Sequence, residues 1–258
     1  MTKTAREKKP FFTLFVFGCA VLLSVMVLYP FVSQFLAKPA AQLSYAELPT
    51  ASGEKPDSII FLLHGSGGSG AQMIDELGPM IRNTFPDTLI VAPNAPLVIT
   101  GKHYDRVLVW HEPFYGLMTD GLLKPVKNAS LLLGGLIEEK KEEHSHIDTN
   151  RIFFLGFSQG ATVALYAAPR IDPPIGGVAA YAGRLLKDDV GATLHHRIPV
   201  FLFYNKADPL VDFKNYQKTL TYFESLKFPV VSRTESFEAH SITLSGVRAG
   251  LAFIEDNM

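Results

Sequence analysis

The chain has 258 residues but only one cysteine and one tryptophan, Cys19 and Trp110. A lone cysteine excludes an intramolecular disulfide and any metal site built from several thiolates. An excess of charge is lacking too: 24 Lys and Arg stand against 25 Asp and Glu, for a net charge of −1. Without a basic stripe or interleaved basic and aromatic residues, nothing points to nucleic acid as a partner. Internal repeats and low-complexity tracts are absent, which excludes repeat arrays. What remains is a chain that is 47% apolar and long enough to bury one full core.

Only one apolar stretch is long enough to concern a membrane. Lys3, Arg6, Lys8 and Lys9 precede a run from Phe11 to Tyr29, which continues past Pro30 to Ala37. As a helix, the first part alone spans roughly 28 Å, about the thickness of a bilayer core. The run exceeds the core of a secretory signal peptide, so an uncleaved signal anchor is expected over 11–37, with 1–10 kept in the cytoplasm by their positive charge. Cleavage near Ala40-Ala41 is the rival reading. A lipoprotein signal at Cys19 fits poorly, because the residues after it stay apolar. Residues 38–57, with Pro39, Pro49, Gly53 and Pro56, read as a linker, which leaves 58–258 as an extracytoplasmic domain.

Within that domain, apolar runs of strand length alternate with helical patterns. Ser58–Leu63, Thr88–Val91, Ile152–Leu155, Gly176–Tyr181 and Val200–Tyr204 have the near-continuous hydrophobicity of strands covered on both faces. Val230–Thr234 alternates, as an edge strand does. Helical spacing appears over 71–83, 129–146, 212–225 and 242–256. The charged run Glu138–Glu143 reads as the solvated end of an amphipathic helix. Such alternation implies an α/β domain with a mostly parallel central sheet and helices on both faces.

One pentapeptide carries the chemistry. Gly156-Phe157-Ser158-Gln159-Gly160 lies between the strand 152–155 and an Ala-rich helix, the context a G-x-S-x-G nucleophile elbow requires. Gly156 and Gly160 remove side chains where the chain doubles back. In a parallel sheet, functional loops gather at the carboxyl ends of the strands. Asp208 follows strand 200–204 there, and His240 follows strand 230–234, in the chain order serine, acid, histidine. Asp212 is the rival acid and reads better as a helix cap; Asp188 and Asp189 read as surface residues. His195 and His196 precede a strand, at the wrong edge, and His144 and His146 end a surface helix. His103 and His111 lie in a loop ahead of Ser158. The glycine loop after the first strand, His64-Gly65-Ser66-Gly67-Gly68-Ser69-Gly70, offers unobstructed N–H groups. The backbone amides of Ser66 and Gln159 are the expected oxyanion donors, with Gly65 and Gly67 shaping the loop. A phosphate loop is the rival, and it lacks the Gly-Lys-Ser/Thr ending.

With these pieces assembled, the chain resembles the phospholipase/carboxylesterase family of α/β-hydrolases, which includes the acyl-protein thioesterases. The matching segments are Leu63–Gly68, Ala92-Pro93-Asn94-Ala95-Pro96, Gly156–Gly160, Ala207-Asp208-Pro209-Leu210-Val211 and Ala239-His240-Ser241. The resemblance implies a Ser158–Asp208–His240 triad, oxyanion donors at Ser66 and Gln159, and neither metal nor cofactor. It implies a small-molecule or lipid ester or thioester as substrate. The sequence departs from the family at Trp110-His111-Glu112, at Tyr204-Asn205-Lys206 before the acid, and at Phe237-Glu238-Ala239 before the histidine. A catalytically silent fold used for binding, or a lipase or peptidase of the same fold, are the competing readings. Asn128-Ala129-Ser130 also fits a glycosylation acceptor.

Overall fold

The computed structural model describes residues 42–101, 104–111, 123–186 and 196–258. The expected anchor at 11–37, Cys19, His103, Asp188, Asp189 and His195 lie outside them. Among the described residues, no helix is long and apolar enough to cross a membrane.

The sheet runs β1-β3-β2-β6-β7-β8-β9, built from β1 (Tyr45–Leu48), β2 (Ser58–Leu63), β3 (Thr88–Pro93), β6 (Ile152–Phe157), β7 (Gly177–Tyr181), β8 (Val200–Asn205) and β9 (Val230–Glu235). Every pairing is parallel except that of β1 with β3. Side chains alternate across a strand, so a run apolar at every position needs two apolar partners. In β2, Phe61 and Leu63 enter one core while Ile60 and Leu62 enter the other. The first core is closed by α2 (Leu123–Glu143), α3 (Gln159–Ala167) and α4 (Phe213–Ser225), the second by α1 (Gly70–Thr84) and α5 (Leu244–Asn257). As its alternation predicts, β9 is an edge strand, with Val231 exposed.

Three expectations need correction. Part of the supposed linker belongs to the sheet: β1 pairs antiparallel with β3, and Leu43 is buried in the core. The proline and glycine residues that suggested a tether flank that short strand. The region ahead of Ser158 read above as a loop contains a separate two-stranded ribbon, β4 (Leu97–Gly101) with β5 (Tyr104–Val109), and His111 follows it. The charged end of α2 is not wholly solvated either. Lys140 is buried and pairs with Glu47 of β1 at 2.7 Å and Glu143 at 2.6 Å. Burial opposes its charge, but these carboxylates hold its pKa above the ordinary lysine value. The ion pair binds β1 to α2, which the helical pattern alone does not reveal.

Candidate active site

The elbow begins where β6 ends. Ser158 takes φ 53° and ψ −115°, a left-handed conformation that non-glycine residues rarely adopt. Such strain costs on the order of 1–3 kcal/mol and persists only where surrounding contacts hold it. Here the Ser158 N–H donates to Tyr181 O at 2.8 Å, and its carbonyl accepts from Thr162 N at 3.0 Å. Both flanking glycines are required by close approach. A Cβ on Gly160 would lie 2.2 Å from Leu63 O, and one on Gly156 would lie 2.8 Å from the Ala161 backbone.

The other two side chains arrive from neighbouring strand ends. His240 Nε2 lies 2.9 Å from Ser158 Oγ, and its Nδ1 lies 2.7 Å from Asp208 Oδ2. An ionised carboxylate only accepts, so Nδ1 carries the hydrogen and Nε2 is left to accept from the serine hydroxyl. Asp208 Oδ1 accepts from Leu210 N at 2.8 Å and Val211 N at 3.0 Å, so the second oxygen is occupied as well. The Asp208 side chain is 1% exposed and that of His240 14%. The Phe157 ring packs on the imidazole with centroids 4.8 Å apart and restricts its rotation. Asp212 caps α4 instead, accepting from Lys214 N at 2.8 Å.

Asn205, at the end of β8, joins the acid loop to the histidine loop. Its Nδ2 donates to Phe237 O and to Ala239 O, the latter at 2.6 Å. Its Oδ1 accepts from Phe237 N at 2.9 Å and Ala207 N at 3.1 Å. Sequence reasoning noted Tyr204-Asn205-Lys206 only as a departure. The available signal was a polar residue closing an otherwise apolar strand three positions before the acid.

The glycine loop backs on to the elbow. A Cβ on Gly65 would sit 3.4 Å from Ser158 Cβ, so the peptide leading to Ser66 lies beside the serine. Gly67, at φ 80°, donates its N–H to Leu108 O of β5 at 2.9 Å. Among the described residues, neither the Ser66 N–H nor the Gln159 N–H donates to a backbone or side-chain acceptor. The Gln159 side chain has a role that the pattern did not disclose. Its Oε1 accepts from Trp110 N at 3.0 Å and its Nε2 donates to His111 O at 3.1 Å, fixing the chain after β5 to the elbow.

His64 is structural rather than reactive. Ala95 N donates to Nε2 at 3.0 Å, so Nδ1 bears the hydrogen and donates to Gly65 O at 2.6 Å. Burial lowers its pKa below the ordinary 6.5, which keeps the ring neutral. Of the remaining histidines, His146 bonds Pro56 O at 2.8 Å and His196 pairs with Asp172 at 3.0 Å, both away from Ser158. Among the described residues, no cluster of three or more His, Cys, Asp or Glu could hold a metal ion.

A mostly parallel, doubly covered sheet, with a strained serine on its elbow and histidine and aspartate in bonding contact, defines a serine hydrolase of the α/β-hydrolase fold. The model of the phospholipase/carboxylesterase family matches residues 47–258, and the chain belongs to that family. It is 29% identical over 234 residues to acyl-protein thioesterase 1 of Debaryomyces hansenii, an alignment covering 84% of this chain and 98% of that protein. It is 31% identical over 163 residues to lysophospholipase-like protein 1 of Mus musculus, covering 58% of this chain and 65% of that one. Among solved structures, esterase PE8 superposes with a TM-score of 0.75 at 27% identity, over 84% of this chain and 100% of that one. Zea mays acyl-protein thioesterase 2, at 18% identity and a TM-score of 0.67, shares the fold over 83% of this chain and 98% of its own. The protein is a serine ester hydrolase.

Proposed function

We propose that the protein cleaves carboxylic esters or thioesters through an acyl-enzyme on Ser158, while held to a membrane by residues 11–37. The observation that carries the chemistry is the unbroken relay from Ser158 Oγ through His240 to Asp208, at 2.9 Å and 2.7 Å. His240 Nε2 takes the hydroxyl proton as Ser158 Oγ attacks the acyl carbon. Asp208 keeps the imidazole in the accepting tautomer and stabilises the imidazolium. The carbonyl oxygen, now anionic, lies against the Ser66 and Gln159 amides. Each such donor is worth roughly 3 kcal/mol in related chemistry. His240 then delivers the proton to the leaving alcohol or thiol as the acyl bond to it breaks. Water, deprotonated by the same imidazole, attacks the acyl-enzyme; Ser158 leaves, recovers its proton, and the carboxylic acid is released. The names of the thioesterase and lysophospholipase-like relatives favour acyl esters and thioesters as the substrate class.

The anchor is supported by the basic residues ahead of an apolar run long enough to span. It places the domain on the extracytoplasmic side.

A chain-length series of p-nitrophenyl esters and acyl thioesters tests the chemistry. Turnover is expected on both classes and should fall by about 10⁶-fold in Ser158→Ala, the scale seen when a triad nucleophile is removed. Turnover surviving in that variant excludes the assignment.

A further inference from the structure

We propose that the Arg184 guanidinium receives an anionic group on the acyl part of the substrate, which makes that substrate a monoester or monothioester of a dicarboxylic acid. The assignment rests on the acyl-enzyme reading above, to which it adds a charge.

The chain after β7 is fastened to the elbow residue by residue. Ala182, at φ 52°, donates its N–H to Phe203 O at 3.0 Å. A Cβ on Gly183 would lie 2.5 Å from Ala161 Cβ, so this stretch rides on the first turn of α3. Arg184 N donates to Thr162 Oγ1 at 3.3 Å, and that hydroxyl donates to Ser158 O at 3.2 Å. Only one side-chain oxygen thus stands between the backbone of Arg184 and that of the nucleophile. Leu185 N donates to the buried Thr219 of α4 at 3.0 Å. A positive φ at a non-glycine residue and this run of anchored neighbours cost conformational freedom. What they fix is the root of a long cationic side chain beside the serine.

The head of that side chain has nothing to hold. Arg184 is half-buried, and among the described residues its guanidinium makes no hydrogen bond or ion pair. Other half-buried arginines are satisfied: Arg82 donates to Thr50 O at 2.9 Å, Arg151 to Asp57 at 2.6 Å and Arg170 to Tyr166 O at 2.6 Å. Two carboxylates and a phenol stand nearby, and none takes the charge. Both oxygens of Asp208 are occupied, one by His240 and the other by the Leu210 and Val211 amides. Asp212 caps α4 and accepts from Lys214 N at 2.8 Å. The Tyr204 hydroxyl, near the end of β8, is buried with no partner among the described residues. Burial and then the Asp208 carboxylate raise its pKa against the pull of Arg184, with Asp212 adding a smaller push, so it stays a neutral phenol. Arg184 acts on that hydroxyl through space, which puts the guanidinium over the ends of β7 and β8, beside the triad. Arginine keeps its charge, and one partly stripped of water is stabilised by a carboxylate that arrives with the substrate.

The face on which it stands selects the acyl part. The leaving oxygen or sulfur must lie against His240 Nε2, from which it takes its proton. His240 stacks on Phe157, which packs against the core closed by α1 and α5. Arg184 is seated on α3 and α4, across the sheet from that core. The acyl chain leaves the reacting carbon away from the imidazole, and so toward the guanidinium. An ion pair there is remote from the reacting atoms; it contributes by holding the acyl carbonyl in register with Ser158.

The test gives the full chain three matched p-nitrophenyl esters. The hydrogen adipate carries a terminal carboxylate, the hexanoate is neutral with the same carbon number, and the 6-(trimethylammonio)hexanoate is cationic. The wild type is expected to favour the adipate over the hexanoate by about 10- to 100-fold in kcat/KM, the scale of a hydrogen-bonded charge. Added salt should shrink that preference. In Arg184→Met the ratio should fall to unity or below. Arg184→Glu should turn the preference toward the cationic ester, a gain that no loss of folding can imitate. A wild-type ratio at or below unity, or one that survives Arg184→Met, overturns the role of Arg184 and leaves the chemistry standing. An Arg184-dependent preference for 4-acetoxybenzoate over phenyl acetate would move the anion to the leaving group and overturn the acyl assignment. Failure of the wild type on every ester, with Ser158 unlabelled by a fluorophosphonate, overturns the acyl-enzyme reading itself.

Discussion

The side-chain amide of Asn205 donates to the carbonyl of Ala239 at 2.6 Å, one residue before the imidazole that meets Ser158. One buried amide thus fixes the distance between the loop carrying the acid and the loop carrying the base. Truncation by Asn205→Ala leaves the Phe237 and Ala239 backbone groups without that partner and lets His240 drift. A displacement of about 1 Å in a reacting group can cost 10²-fold, so kcat should fall by about 10- to 100-fold with KM little changed. Asn205→Asp should be worse than Asn205→Ala, because a carboxylate would face two carbonyl oxygens. Steady-state kinetics with a soluble p-nitrophenyl ester check both. Equal loss in KM and kcat for the two variants would assign Asn205 a merely structural role.

Two glycines separate close packing from simple chain flexibility. A methyl on Gly160 would sit 2.2 Å from Leu63 O, so Gly160→Ala forces the elbow off β2 and should destabilise by about 3 kcal/mol, the upper end for overpacking. Gly134, in the interior of α2, has nothing within 4 Å of an added Cβ. Gly134→Ala should therefore stabilise, by about 0.5–1 kcal/mol, through helix propensity alone. Urea denaturation midpoints of the two variants should move in opposite directions.

Buried His64 makes stability depend on pH in a defined direction. Its folded pKa lies below the ordinary 6.5, so above pH 6.5 both folded and unfolded chains hold it neutral and its contribution is fully present. As pH falls below 6.5 the unfolded chain binds a proton that the folded one resists, and stability is lost toward the folded pKa. Denaturation midpoints measured from pH 7.5 to 5.5 should decline for the wild type. His64→Gln should be less stable throughout, with a shallower decline. Parallel curves would show that another group governs this window.

Much of the site was legible because its geometry is local. The elbow's glycines, the polar ends of β8 and β9, and the chain order of Ser158, Asp208 and His240 are all patterns within a few residues of a strand. What escaped depends on tertiary pairing. β1 is only Tyr45–Leu48, and its partly exposed side chains carry no continuous apolar signal; its place comes from β3 and Lys140. The Gln159 side chain reads as part of a motif, yet its contacts are Trp110 and His111, far away in the chain. Asn205 bridges residues more than thirty positions apart, beyond the reach of any periodicity.

The claim most open to direct attack is that Ser158 is the nucleophile activated by His240. Treatment of the full chain with a fluorophosphonate, followed by peptide mapping, tests it without reference to any natural substrate. A single adduct on Ser158 is expected, absent from Ser158→Ala and formed far more slowly in His240→Ala. An adduct on another residue, or an unmodified Ser158 in a protein that still turns over esters, would contradict the account.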